Sequence, residues 1–396
     1  MKKRILIVGG GYGQVPAIKK AKKLGLETIV VDRNKNAIGM SLADYSYIID
    51  TVDRNTILSV AKKHNISGIM TMQSDLPVPS VGYVNDKLGL NGIGLQTANF
   101  CSNKIETREK LNKENCSQPK YKIVSSIEEI LKAINYIGFP CVIKAPDSSG
   151  SRGVIKVDNK DSIEEAFHQA LFYTKNDKIL VEEYIEGLEF GAQTFSINGK
   201  CEIVLLHNDI MSTPPYMIPI GHSFPFKCPE NIDKESINKD IIKAIKAVKI
   251  NNGPANIDLI WDKKSNSVKI IEIGARIGAT CLPELIYYHT GIDWVTTTIL
   301  NAIGEPVDIN IHKEKPVAAF ILESPKDGIF CDFHLRNEKI KRNILEFEIT
   351  VKKGDEVSKL RKGTDRIGKV LAYGSSAEDA EDKVINIRKS IIINVQ

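Results

Sequence analysis

Two carboxylates, Asp258 and Glu272, lie in stretches of strand-like alternation, ANIDLIW and VKIIEIG, with a polar turn from Asp262 to Ser267 between them. Folded back as a hairpin, this length of chain would bring both acids side by side on one face. Like charges so placed repel each other unless a cation lies between them. The pattern therefore points to a divalent metal held by hard oxygen ligands, magnesium or in its place manganese. Arg276 follows at the exit of the second strand, placed for a transferring phosphoryl group. The structural alternative on the same residues has Asp258 facing solvent and Glu272 paired with Arg276.

A second group of residues precedes this one. In PCVIKAPDSSGSRGVIKV, Lys144 ends an apolar strand, so its ammonium projects from a rigid edge. The loop that follows offers small residues, amides and hydroxyls at Ser148, Ser149, Gly150, Ser151 and Gly153, with the charge of Arg152 added. Such a loop can close over phosphates. It is not a P-loop, because no G-x-x-x-x-G-K-[ST] is present, and an ordinary surface hairpin accounts for the composition equally well. Further on comes ILVEEYIEGLEFGAQTF. Here Glu182, Glu183, Tyr184 and Ile185 end a strand in a short extended hinge, able to show one carbonyl and one amide to adenine while a carboxylate accepts from the exocyclic amine. Glu189, after the Gly187 turn, is placed to accept from ribose hydroxyls. Alone, the acids would be a solvated face; behind the Lys144 loop the pairing becomes more specific.

The glycines Gly9, Gly10, Gly11 and Gly13 stand between an apolar run and an amphipathic stretch, with Asp32 at the end of the next apolar run. This resembles a dinucleotide fingerprint, and a nicotinamide-dependent (NAD(P)) oxidoreductase is the rival it raises. The G-x-G-x-x-G spacing fails, however: the third position falls on Gln14 or Pro16. A tight strand-to-helix turn explains the glycines as well.

The elements that must position these groups follow from periodicity. Strands are predicted at Arg4–Val8, Glu27–Val31, Tyr47–Asp50 and Gly68–Met72, alternating with helices at Pro16–Leu24 and Asn55–His64, which is the signature of a doubly wound parallel sheet. Helices are expected over Lys104–Asn115, Ser126–Ile137 and Asp161–Thr174, with strands at Pro140–Lys144, Gly153–Val157 and Lys178–Glu182. The metal-bearing strands are Ala255–Trp261 and Val268–Ile273. After Gly304 short strands return, closing with a helix from Ala377 to Ile391. The chain thus reads as an α/β and α+β multidomain protein in three parts, 1–102, 103–304 and 305–396.

Composition narrows the setting. The net charge of +5 comes from Lys and Arg interleaved with acids, not gathered into a basic face, so nucleic acid is not an expected partner. The seven cysteines are odd in number, scattered, and without C-x-x-C pairing, which disfavours zinc or disulfide frameworks and fits a cytoplasmic protein. The apolar run Ile5–Val8 is too short for a signal peptide, and no stretch approaches a membrane span.

The order of features resembles the ATP-grasp superfamily, in its biotin-carboxylase-like and L-amino-acid-ligase-like (carboxylate-amine ligase) branch. That order is a glycine turn, the Lys104 helix, the Lys144 strand and loop, the E-x-Y-I hinge and the acidic hairpin ending in E-x-x-x-R. The tail GTDRIGKVLAYGSSAEDAEDKV is similar to the small carboxy-terminal domain of that branch. The resemblance implies an N-terminal pre-ATP-grasp domain, a central ATP-grasp domain with a mobile subdomain over about 121–182, and a small β-rich C-terminal domain. It implies that Lys104 and Lys144 contact ATP phosphates, that Glu182 and the backbone of Glu183–Ile185 hold adenine, and that Glu189 holds ribose. Asp258 and Glu272 would bind Mg2+, and Arg276 would steady an acyl phosphate. A small-molecule carboxylate, an amino acid by analogy, would be activated by ATP and captured by an amine, giving an amide. A homodimer is also implied. One departure stands out: relatives carry Asn within E-x-N-x-R, and here the position is Gly274. It raises a second rival, a non-catalytic nucleotide-binding subunit.

Overall fold

The computed structural model describes residues 2–148, 150, 152–213, 218–230, 232–336 and 342–396. They form two compact units: Met1–Leu205 with Glu230–Ile277 and Val295–Asp308, and Leu206–Pro229 with Gly278–Trp294 and Ile309–Gln396.

The first unit opens with a parallel sheet of β1 (Arg4–Val8), β2 (Glu27–Asp32), β3 (Tyr45–Ile48) and β4 (Gly68–Met70), in the order β3-β2-β1-β4. Ile5, Leu6, Ile7 and Val8 are all fully buried, which is why β1 reads as an unbroken apolar run rather than an alternation. Between the strands run α1 (Val15–Lys23), α2 (Ile38–Leu42) and α3 (Arg54–His64). The Asp53 side chain caps α3 by accepting from the Thr56 amide, and Asn65 ends the helix in a left-handed conformation. β3 starts two residues earlier than predicted. It is an edge strand, so its span is set by pairing Ile29 with Tyr45 through Asp32 with Ile48 rather than by the apolar run Tyr47–Ile49. Two helices without a sequence-stated span, α4 (Val78–Leu88) and α5 (Leu95–Phe100), complete this part.

Next comes α6 (Lys104–Lys113), capped by Asn103, whose side chain accepts from the Ile105 and Glu106 amides. A four-stranded antiparallel sheet follows, with β5 (Tyr121–Val124), β6 (Cys141–Lys144), β7 (Val154–Val157) and β8 (Ile179–Glu183) in the order β5-β8-β6-β7. Helices α7 (Ile127–Ile137) and α8 (Ile163–Phe172) bury Ile130, Ile134, Phe167 and Ala170 in one core with Ile143 and Val181 of the strands. The unit then carries β9 (Gly187–Ile197) and the first half of β10 (Lys200–Met211). After β11 (Pro219–Phe224), which lies in the other unit, come α9 (Lys234–Ala247), β12 (Gly253–Asp262) and β13 (Ser267–Gly274). β12 pairs antiparallel with both β9 and β13.

The second unit holds the end of β10, then β11, α10 (Leu282–Thr290), β14 (Val317–Glu323), β15 (Gly328–Leu335), β16 (Glu346–Ile349), β17 (Glu356–Val357) and β18 (Arg366–Tyr373). α11 (Trp294–Ala302) returns to the first unit, and the chain ends with α12 (Ala377–Ser390) and β19 (Ile391–Val395). Phe320, Leu322, Val370, Ala380, Val384 and Ile387 pack one core between α12 and the strands. The carboxy-terminal region is therefore β-rich, as expected. No helix among the described residues is long and apolar enough to cross a membrane.

Gly68, in β4, marks a close approach: a Cβ there would sit 2.4 Å from the Ala302 carbonyl oxygen. Gly68→Ala is expected to lower stability by about 1–3 kcal/mol through overpacking, read from urea denaturation against wild type.

Candidate active site

The predicted hairpin exists, and its register settles which face the acids share. Asp258 on β12 stands directly opposite Glu272 on β13, with a β-bulge immediately after Asp258. Directly opposed residues point to the same side of a sheet, with Cβ atoms about 4.5–5.5 Å apart. The other side of β12 is packed, with Ile257 and Leu259 at 0% and 1% exposure, while Asp258 is exposed. Asn256 Nδ2 donates to Asp258 Oδ1 at 3.0 Å, and Lys104 Nζ lies 3.3 Å from Glu272 Oε1. Hard oxygen donors converge on one open face, and this donor set suits magnesium. Glu189 of β9 lies on the same face: it pairs with Ile260, two positions along β12 from Asp258.

Lys144 leads to the least exposed charges of the site. Its Nζ is 2.5 Å from Glu182 Oε2, and the other carboxylate oxygen of Glu182 accepts from Arg108 Nε at 2.5 Å. The side chains of Arg108 and Glu182 are each 2% exposed. Burial alone would push the Glu182 carboxyl up, but the charges of Arg108 and Lys144 and their hydrogen bonds more than reverse this and hold it down at about 2. Arg108 continues from there: Nη1 and Nη2 donate to the Ile270 and Ile271 carbonyls of β13, at 2.9 and 2.8 Å. One guanidinium and one carboxylate therefore connect Lys144 to the residue just before Glu272. Arg108 was not among the sequence candidates. The available signal was its spacing, four residues after Lys104, which puts both on one helix face. Glu182, expected to face an adenine amine, has each of its oxygens engaged by a neighbouring cation.

The loop after Lys144 is a β6–β7 hairpin closed by the Ala145 amide donating to the Gly153 carbonyl at 2.7 Å. It is tied to the start of α6, where the Lys104 amide donates to Pro146 O at 2.8 Å and Lys104 Nζ to Ser148 O at 2.6 Å. Gly150 and Gly153 have φ of 67° and 65°, the left-handed region that glycine fills without strain. Arg152 is exposed. Ser149 and Ser151 lie outside the described residues. In the hinge, the Glu183 amide donates to Lys120 O and the Tyr184 amide to Pro140 O. Tyr184 is exposed beneath Lys156 Nζ, and Ile185 is buried.

Arg276 does not pair with Glu272. Its Nε and Nη2 make a two-point contact with Asp75, at 2.7 and 3.1 Å. Burial opposes the charge of Arg276, and Asp75 more than offsets this, so the guanidinium is held firmly charged. Asp75, also absent from the sequence candidates, lies in the segment after β4. This segment and the Gly9–Gln14 turn after β1 are neighbours at the carboxyl ends of the parallel strands, where the strand order reverses. Gln14 Nε2 donates to Met72 O at 2.6 Å across that point. Asp32 is used there too: its oxygens accept from the Gly10 amide at 2.7 Å and the Asn34 amide at 2.8 Å. The acid that would serve a ribose in the oxidoreductase reading therefore holds the glycine turn itself.

In the second unit, His222 is buried with its Nδ1 2.7 Å from Asp209 Oδ1, and His207 Nδ1 is 2.9 Å from the same oxygen. Burial pushes the His207 imidazole down, with Asp209 opposing; Asp209 itself is held well below the usual carboxylate range. The Asp209 carboxylate lies between the two imidazoles. The buried thiols are also unsuited to nucleophilic attack, since burial pushes Cys141 up to about 11 and Cys281 to about 12.

The profile of the ATP-grasp domain matches residues 137–284, and that of L-amino acid ligase C-terminal domain 2 matches residues 336–396. Formate-dependent phosphoribosylglycinamide formyltransferase of Prochlorococcus marinus subsp. pastoris is 30% identical over 372 residues, covering 89% of this chain and 90% of that protein. The chain belongs to the ATP-grasp family. Within it the chain falls in the carboxylate-amine ligase branch, and it is an ATP-dependent ligase. The crystal structure of phosphoribosylglycinamide synthetase from Anaerococcus prevotii superimposes with a TM-score of 0.83 at 29% identity, covering 100% of both chains. That of L-amino acid ligase from Bacillus licheniformis has the same fold, with a TM-score of 0.84 at 20% identity over 100% of this chain and 99% of that one.

Glu182→Gln leaves two buried cations facing a neutral amide in this ligase. It is expected to lower stability by about 3–5 kcal/mol at neutral pH in urea titrations. The carboxyl titrates at about 2 in the fold against 4.5 ordinarily. Its contribution is thus complete above about pH 4.5 and lost as pH falls towards 2, so the gap between wild type and variant should narrow across that window.

Proposed function

We propose that this ligase joins a small carboxylate to an amine through an acyl phosphate, releasing ADP and phosphate. The observation that carries the reading is the connection made by Arg108 between the Lys144–Glu182 pair and the strand bearing Glu272. It ties Lys144 and Arg108 to the strand bearing Glu272, which supports cations on phosphate beside acids on metal. The named relatives support the substrate classes, because formate is a carboxylate and phosphoribosylglycinamide supplies an amine.

In this reading the chain keeps its three parts, 1–102, 103–304 and 305–396. Asp258 and Glu272 hold magnesium, which neutralises phosphate oxygens as the terminal phosphoryl group transfers. Lys144 gives one of its three ammonium donors to Glu182 and directs the others at phosphate. Lys104 joins the loop carbonyl of Ser148 to Glu272, so it senses both phosphate loop and metal site. The loop residues Ser148 to Gly153, with Arg152, cover the phosphates and exclude water, protecting an acyl phosphate from hydrolysis. Because the Glu183 and Tyr184 amides are already engaged, the Ile185 amide and the neighbouring carbonyls meet adenine, and Glu189 the ribose. Glu182 serves by fixing Lys144. Arg276 meets the carboxylate undergoing activation.

Amide formation from an ionised carboxylate is uphill in water, and phosphorylation of the carboxylate makes it a competent electrophile. The test follows oxygen. With substrate labelled with 18O in its carboxylate, released phosphate should carry one label; phosphate free of label would overturn the acyl-phosphate route. With that substrate pair, Lys144→Ala and Glu272→Gln are each expected to lower ADP release by about 100-fold or more.

A further inference from the structure

Gly274 lies two residues after Glu272 on β13, and the structure shows what occupies the space beside it. A Cβ on Gly274 would lie 3.0 Å from Asp75 Oδ1 and 3.3 Å from Arg276 Cζ. The bare backbone thus accommodates the two-point Asp75–Arg276 pair, and an amide side chain at 274 would crowd it. The strand register supplies an amide from the other side. Asn256 on β12 is the direct partner of Gly274, as Asp258 is of Glu272. Asn256 and Asp258 share a face, and the two side chains already touch at 3.0 Å. Behind Asn256, fully buried Gln193 of β9 donates Nε2 to Asn256 Oδ1 at 2.6 Å.

We propose that Asn256 supplies an amide oxygen as a third ligand, completing with Asp258 and Glu272 the cation site of this ligase. The inference rests on the reading of Asp258 and Glu272 as metal ligands. Asn256 now turns its Nδ2 towards Asp258, where the NH2 group offsets the carboxylate charge. A half-turn of the amide exchanges Nδ2 for Oδ1 without moving the chain, and a matching half-turn of Gln193 preserves their hydrogen bond, because each amide carries both donors and an acceptor. A cation at the acids favours that turn: it repels the NH2 group and takes a neutral hard oxygen, the ligand type that suits magnesium or manganese. Gln193, buried and paired, positions the amide; Asn256 touches the cation.

Manganese serves as the probe, with free Mn2+ followed by electron paramagnetic resonance during titration of the enzyme–ADP complex. Asn256→Leu removes the oxygen at similar size and should weaken Mn2+ binding about tenfold or more. Asn256→Asp separates a ligand from a mere hydrogen-bond donor. A carboxylate cannot donate to Asp258 and repels it, yet it offers an oxygen to a cation, so this variant should bind Mn2+ at least as tightly as wild type. Unchanged Mn2+ affinity in Asn256→Leu, or equal weakening in both variants, overturns the proposal. Asp258→Asn is the control on the underlying reading: Mn2+ affinity unmoved there removes the metal from this hairpin altogether, whereas Asn256→Leu failing alone leaves the hairpin site standing without its third ligand. Metal-free ADP binding by each variant confirms that the nucleotide site is folded.

Discussion

The site depends on one buried charge arrangement, Arg108–Glu182–Lys144. Two cations and one carboxylate in a place with almost no water are tolerable only because each oxygen of Glu182 meets a cation and both Nη atoms of Arg108 donate to the Ile270 and Ile271 carbonyls. Through those carbonyls the arrangement reaches β13, so the lysine at the end of β6 and the acid on β13 cannot drift independently. In the proposed role of Lys144, a lysine held in this way meets phosphate without first reorganising, which is how preorganised charge contributes to phosphoryl transfer.

A second constraint sits at the other end of β13. Arg276 turns away from the acids and towards Asp75, at the point where the parallel sheet reverses its strand order. In the proposed role of Arg276, an arriving carboxylate must displace or share Asp75, whose charge is only partly exposed. The glycine at 274 belongs to this end of the strand. Read in isolation as a departure from E-x-N-x-R, it raises a non-catalytic subunit; seen beside Asp75, it is the clearance that the ion pair requires.

The glycine-rich amino-terminal turn shows how one motif can be put to another use. It leads from β1 through one tight turn at Tyr12–Gln14 into α1, and Asp32 is committed to the Gly10 and Asn34 amides, and Gln14 to Met72. The turn is thereby fixed at the crevice that Asp75 also borders, in an enzyme whose nucleotide is ATP. His222 is similarly absorbed into a local network, with Asp209 and His207.

What could be read from residues alone was whatever depends on local period and spacing. The strand–turn–strand alternation around Asp258 and Glu272 dictates two strands and a turn, but the register from Asp262–Ser267 would run Asp258 against Ile271, and only the β-bulge after Asp258 brings Glu272 opposite it. The small-residue loop after Lys144, the hinge and most helix spans follow from the same short-range rules. Tertiary structure alone decided the partners. Arg108 meets Glu182 across 74 positions and Arg276 meets Asp75 across 201. Such pairings leave no periodic trace, and an isolated Arg or Asp reads as a solvated surface charge until folding removes the water around it. The span of β3 was likewise decided by pairing with β2, since an exposed edge strand has little apolar pattern of its own.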